Sequence, residues 1–378
     1  MGGVSWFVRG AVALILTLAN TAGMAPVWFC KGVLIWSKNP KVSPNPIQWM
    51  LTFTARAMLF WLAKVGCQPA LNTRTPSRLR DWILCRRFAW IQPAPVKTID
   101  ASSKDKFTFD DTGLPVRLRP EEITKRSAGL WYLNPQEKYV NGQLQKATRK
   151  TPVLLYFHGG AYITLEAGDI FVGLTLARLQ ARFGKLDVFS INYRLAPGSK
   201  YPTQLFEAFS AWKHLRELGY EHILIGGDSA GANLALTLWK YLQEVEEDSA
   251  AVRGLILHSP WLDMQGFKRQ AYKDKLHTCA LTPDYTIIGF NALQTRGLPK
   301  AEDPWISPVH WDSSILSKLP PVIVTNGGAE ALMEEANIFV RNIKSAGRDV
   351  DHFIMHDRLH TNIIPSPSSP NTLTILER

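Results

Sequence analysis

Short apolar runs alternate with longer amphipathic ones through the C-terminal part of the chain. VLLYF at 153–157 is a short apolar strand, and a helical run follows over 170–183. A second strand is expected at 188–192, then a helix over 203–218 with Pro202 at its start. A third strand at 223–225 runs into GGDSAG and a helix through Leu242. Further β-type runs lie at 254–258, 322–325 and, shorter, 352–355. Buried strands of this length, separated by helices, imply a mostly parallel central sheet with helices on both faces. The segment from about 93 to 151 is broken by Pro, Gly and polar residues, with room for short antiparallel strands such as KFTF at 106–109. Residues 264–300 show no strong periodicity and read as an insertion, and PSPSSP at 365–370 begins a loose tail.

The N-terminus follows a different pattern. Between Arg9 and Lys31 lie 21 residues without a charge. As a helix they reach about 30 Å, one hydrocarbon thickness. Trp6, Phe7, Trp28, Phe29 and Trp36 sit near the two ends, where aromatic rings favour the lipid interface. No A-x-A cleavage site follows, so a retained single-pass anchor is expected rather than a signal peptide. The stretch 47–65 is interrupted by Arg56 and Lys64 and reads as an amphipathic helix that lies on a membrane or covers a pocket. The expected organisation is therefore an anchor and flank over 1–44, an amphipathic helical cover over 45–97, an α/β domain over 98–365 with the insertion at 264–300, and a tail over 366–378.

Charge sharpens this division. The chain of 378 residues carries a formal net charge of +11. Residues 1–150 hold 22 Lys/Arg against 8 Asp/Glu, whereas the remainder holds 21 against 24. The basic excess lies beside the apolar run, which points to membrane lipid as a partner and away from nucleic acid. Cys30, Cys67, Cys85 and Cys279 show no metal-binding spacing, and neither a metal nor an organic cofactor is implied.

GDSAG at 227–231 has the G-x-S-x-G pattern, preceded by a strand and followed by a helix. Such a turn needs small residues on either side of the serine, which then projects from a sharp bend before a helix N-terminus. Ser229 is the expected nucleophile. HGGA at 158–161 directly follows the strand VLLYF. Its glycines allow close backbone approach, so amide donors are expected from Gly159, Gly160 and Ala161, joined by the Ala230 amide. His158 is expected to tie the loop rather than to act as a base.

With a nucleophile of this type the partners follow in the order serine, acid, histidine. His258, His277, His310, His352, His356 and His360 all lie beyond Ser229. The base belongs on a loop after the last strand. His360 is the first choice and His356 the reserve. Glu330 is the first carboxylate past the strand PVIVTN and is the expected acid. Glu334 and Glu335 read as a solvated or capping face, and Asp357 is an outside candidate.

These motifs, with YRLAP at 193–197, YP at 201–202 and SPW at 259–261, resemble the hormone-sensitive-lipase-like branch of the α/β-hydrolases. The resemblance covers roughly 100–365 and implies an α/β-hydrolase fold with a Ser229–Glu330–His360 triad. It departs from the family in having Glu where Asp is usual, Ala161 where a third glycine is usual, and no phenylalanine two places after His360. The N-terminus resembles that of fungal, endoplasmic-reticulum-associated steryl acetyl hydrolases. A lid built from 45–97 and 264–300 is implied. The function implied is a serine esterase acting on short-acyl esters, acetates among them, of a lipophilic alcohol such as a sterol. The rival functions are a non-catalytic ligand-binding protein on the same scaffold, like the gibberellin receptors, and an amidase or arylformamidase-like hydrolase.

Overall fold

The computed structural model describes residues 2–38, 50, 53–54, 56–58, 61, 86–95, 125–132, 139–140, 143–144, 152–168, 172–173, 176–177, 186–246, 248–276, 278–294 and 300–355. An eight-stranded sheet organises most of them. In chain order its strands are β1 (Arg86–Ile91), β2 (Ser127–Tyr132), β5 (Val153–Phe157), β6 (Asp187–Asn192), β7 (Ile223–Asp228), β8 (Val252–His258), β9 (Val322–Gly327) and β10 (Val350–Met355). β3 (Tyr139–Val140) and β4 (Gln143–Leu144) form a separate two-stranded pair. The order across the main sheet is β1-β2-β6-β5-β7-β8-β9-β10. β2 runs antiparallel to both neighbours, and every other pairing is parallel.

The central strands are apolar on both faces because helices cover both. All five residues of β5 and all six of β6 are buried. Side chains alternate between two cores, as the two-residue strand period requires. Val153, Leu155 and Phe157 join Trp131, Phe189, Trp212 and Trp239 on one face. Leu154 and Tyr156 join Leu130, Tyr132, Val188 and Ile256 on the other. The main helices are α1 (Gly2–Lys38), α2 (Thr203–Glu217), α3 (Ala230–Tyr241), α4 (Gln270–Asp274), α5 (Pro283–Leu293), α6 (Ser313–Leu316) and α7 (Met333–Ser345).

The parallel strands and their helices agree with the sequence pattern, with shifts at the ends. β7 extends through Gly226, Gly227 and Asp228, which the pattern left in the turn. β10 begins two residues early, at Val350. Residues 172–173 and 176–177 are helical, as expected of the 170–183 run. β1 and β2 differ more. The sheet already starts at Arg86, inside the 45–97 stretch read as a helical cover, and β1 pairs residue for residue with β2. Arg86 and Arg87 therefore belong to a sheet edge rather than to a surface helix. The expected strand at 106–109 and the tail at 366–378 lie outside the described residues.

α1 spans the uncharged run 10–30, with Pro26 inside it, and residues 39–44 of the expected flank lie outside the described residues. Val12, Ile15, Leu18, Met24, Val27, Phe29 and Val33 are exposed along it. Trp28 is buried and stacks on Phe53 at 5.3 Å. Counted on the described residues, no helix is long and apolar enough to cross a membrane.

Candidate active site

Ser229 sits between β7 and α3 with φ 53° and ψ −116°. A non-glycine residue in this region carries strain, which neighbouring structure must hold. Its amide donates to the carbonyl of His258 at 2.9 Å. Its carbonyl accepts from Asn233 at 3.2 Å and Trp261 at 3.1 Å. The flanking glycines explain the motif. A Cβ on Gly231 would overlap the carbonyl of Phe157, and one on Gly227 would lie 2.5 Å from the backbone of Gly231. Strand β5, the turn and α3 approach too closely for any side chain there. Ala230 opens α3 directly behind the serine, so its amide is one of the unsatisfied donors of a helix start.

The HGGA loop lies beside this turn, because β5 and β7 are adjacent and in register from Val153 and Ile223 to Phe157 and Gly227. Gly160 has φ 104°, while Ala161, Tyr162 and Leu165 have φ 50°, 64° and 68°. The Gly160 carbonyl accepts from the amides of Ile163 at 2.9 Å and Thr164 at 3.0 Å, and from the Thr164 hydroxyl at 3.1 Å. That carbonyl is thereby turned into the loop. Asp228 packs under Gly159 and accepts from the Tyr156 hydroxyl at 2.8 Å. Burial, reinforced by Asp228, pushes the Tyr156 pKa well up, so the phenol remains a donor.

His158 is fully buried. Its Nδ1 lies 2.7 Å from the Gly159 carbonyl, and its ring stacks on Tyr193 at 4.2 Å. Tyr193 donates to the His158 carbonyl at 2.5 Å. His158 thus ties the loop, as expected. YRLAP is the other half of that tie. The Ala196 amide donates to the Tyr162 carbonyl at 2.9 Å. The Arg194 amide and Nε donate to Glu207 at 2.6 and 2.5 Å. Tyr162 donates to Asn233 Oδ1 at 2.7 Å, which joins the loop to α3.

Glu330 lies on the loop after β9 and is fully buried. Ser259 donates to its Oε2 at 2.5 Å, and the Asn326 amide donates to its Oε1. Ser259 itself has φ 42°. His352 Nε2 lies 2.9 Å from Asn326 Oδ1, so with the Asn326 amide turned to Glu330 this imidazole nitrogen carries the proton. Burial lowers the His352 pKa, with Glu330 opposing. The insertion also grips this loop. Thr278 donates to the Ala329 carbonyl at 2.7 Å and Lys275 to that of Gly328 at 3.2 Å. Arg56 Nη1 donates to the Leu276 carbonyl at 2.5 Å, tying the segment beside α1 to the insertion.

The structure thus brings Ser229, the Gly159–Ala161 turn and Ala230 together at the C-terminal ends of β5 and β7, with Glu330 two strands away. His356, Asp357 and His360 lie outside the described residues. Glu335 departs from the surface reading. It is buried at the start of α7 and accepts from the Leu262 amide at 2.6 Å, and burial pushes its pKa well up. Glu334 is half-buried. The sequence reading also missed Asn326 as a holder of Glu330. Its only signal was its place at the strand end, four residues before Glu330. Among the described residues no cluster of His, Cys, Asp and Glu could hold a metal ion.

The profile of a family described as "alpha/beta hydrolase fold" matches residues 154–363. Esterase LipU of Mycobacterium tuberculosis is 28% identical over 232 residues, covering 60% of this chain and 75% of that protein. A Schizosaccharomyces pombe protein that carries the name "Putative steryl acetyl hydrolase mug81" is 28% identical over 222 residues, covering 54% of this chain and 55% of its own. The crystal structure of a hormone-sensitive lipase from a metagenome library superposes with a TM-score of 0.50 at 26% identity, covering 62% of this chain and 73% of that one. The chain belongs to the α/β-hydrolase fold family, in its hormone-sensitive-lipase-like branch.

Proposed function

We propose that this protein is a serine carboxylic-ester hydrolase in which Ser229, His360 and Glu330 form the triad. Ser229 attacks the ester carbonyl as His360 takes its proton, and Glu330 orients the imidazole and stabilises its charged form. The amides of Gly160, Ala161 and Ala230 hold the tetrahedral oxyanion. Collapse expels the alcohol, which receives the proton from His360. Water then attacks the acyl-enzyme with His360 again as base, and the acid leaves. The observation that carries this reading is the strained Ser229 turn, held against a glycine loop that no side chain could enter.

The substrate class follows from different support. The exposed aliphatic and aromatic side chains of α1 suit lipid, and the basic excess of residues 1–150 suits an anionic surface. The fission-yeast relative is named for steryl acetate hydrolysis. Short-acyl esters of a lipophilic alcohol, taken from a membrane to which α1 anchors the enzyme, fit all three; the endoplasmic reticulum is the proposed location. The test compares p-nitrophenyl acetate, longer acyl esters and a matched amide with the wild type and Ser229→Ala. Acetate is expected to be preferred, with a loss of about 10³-fold or more in the variant. Full ester turnover by Ser229→Ala, or a preference for the amide, overturns the reading.

A further inference from the structure

We propose that α5, within the 264–300 insertion, is a fixed brace for the oxyanion loop, with Tyr285 and Gly289 as its positioning residues. The loop holds four residues at positive φ in the stretch 160–165, three of them not glycine. Such a conformation persists only where its surroundings over-determine it. β5 and YRLAP hold one side of the loop, and α5 supplies the other.

α5 is placed rigidly. Thr282 caps it by accepting from the Tyr285 amide at 3.1 Å, and Pro283 opens its first turn. Its buried face carries Tyr285, Thr286, Gly289 and Leu293. Tyr285 and Gly289, one turn apart, meet the loop. The Tyr285 and Thr164 hydroxyl oxygens are 2.6 Å apart. Thr164 directs its proton to the Gly160 carbonyl at 3.1 Å, so Tyr285 donates to Thr164. Burial pushes the Tyr285 pKa up, which keeps that proton in place. Four residues on, a Cβ at Gly289 would lie 2.6 Å from the Ala161 carbonyl oxygen and 2.8 Å from its Cβ. Gly289 therefore sets how far α5 approaches the peptide whose neighbouring amide faces the oxyanion. Tyr285 fixes the Gly160 carbonyl through Thr164, and with it the plane of the amide that Ala161 contributes.

This inference rests on the reading of the Gly160 and Ala161 amides as oxyanion donors, and it assigns the insertion a role beyond covering a pocket. The experiment measures kcat and KM on p-nitrophenyl acetate per active site, titrated with a fluorophosphonate, for Gly289→Ala, Tyr285→Phe, Thr164→Val and Thr164→Ser, and turnover per mole of folded protein for Ser229→Ala. Displacing a donor by a few tenths of an ångström is expected to lower kcat about 10- to 100-fold in Gly289→Ala and about 10-fold in Tyr285→Phe and Thr164→Val. KM is expected to stay within about twofold, because the donors act on the transition state. The fluorophosphonate reaction rate should fall in parallel, and Thr164→Ser should recover most of what Thr164→Val loses. If Gly289→Ala does not fold, Tyr285→Phe, which adds no atom, carries the test. Unchanged kcat per active site with a lowered melting temperature would overturn the brace. So would a change confined to KM, which places α5 in substrate binding. Ser229→Ala separates the two claims: if it is inactive while the brace variants are fully active, only the brace falls, and if it retains turnover the underlying reading falls.

Discussion

The Ser229 side and the Glu330 side of the site are built by different means. At Ser229 and the HGGA loop the backbone does the positioning. Three chain segments approach so closely that Gly227 and Gly231 are the only residues that fit, and Gly160 adopts φ 104°. At Glu330 side chains do it, with Ser259 and Asn326 each donating to one carboxylate oxygen and His352 behind Asn326. Backbone positioning is stiff and tolerates no added atom. Side-chain positioning is divided among several groups, and each can be removed singly at a smaller cost.

That contrast can be broken most severely at Glu330, the proposed acid. Glu330→Gln keeps the shape but presents an amide to the base, and turnover of p-nitrophenyl acetate is expected to fall about 10³- to 10⁴-fold. On the backbone side, Gly231→Ala forces β5 and α3 apart, and a loss of about 10²-fold is expected, with a lower melting temperature. A smaller loss, about 10-fold in kcat/KM, is expected of Ser259→Ala, because Asn326 still holds the other oxygen. In a double-mutant cycle Ser259→Ala should have almost no further effect once Glu330 is Gln.

The smallest effect is a pH dependence of stability. His258 lies beside Asp228 in register, 2.7 Å from the Thr325 hydroxyl, and burial holds its pKa down at about 4. The folded state thus binds this proton less readily than the unfolded chain, whose histidine titrates near 6.5. Stability from this site is complete above that value and is lost as pH falls from there toward 4. His352 and His214 are shifted in the same direction by burial. Melting temperatures between pH 7.5 and 4.5 should therefore fall with acid, and less steeply in His258→Asn.

The same contrast governs how much the sequence reveals. GDSAG and HGGA are legible because a close approach excludes all but small residues, so the constraint is written as residue type at fixed spacing. The parallel strands are legible because burial on both faces makes them continuous apolar runs. β1 is not, since RRFAWI at a sheet edge mixes charge with aromatics and gains its partner, β2, from 36 or more residues on. Tyr285 and Gly289 are equally hidden. A tyrosine and a glycine four apart on a helix have many uses, and only the fold places the HGGA loop against them. Glu335 misled for a related reason: a carboxylate at a helix start reads as a capping group, while the Leu262 amide that donates to it is 73 residues away.

The most direct test of the central claim is the stoichiometry and position of a fluorophosphonate adduct, read by intact mass and peptide mapping alongside residual esterase activity. One adduct per chain, on Ser229, with activity falling in proportion to its formation, is the predicted result. Complete loss of activity with the adduct on another residue, or a fully labelled Ser229 with ester turnover intact, would contradict it.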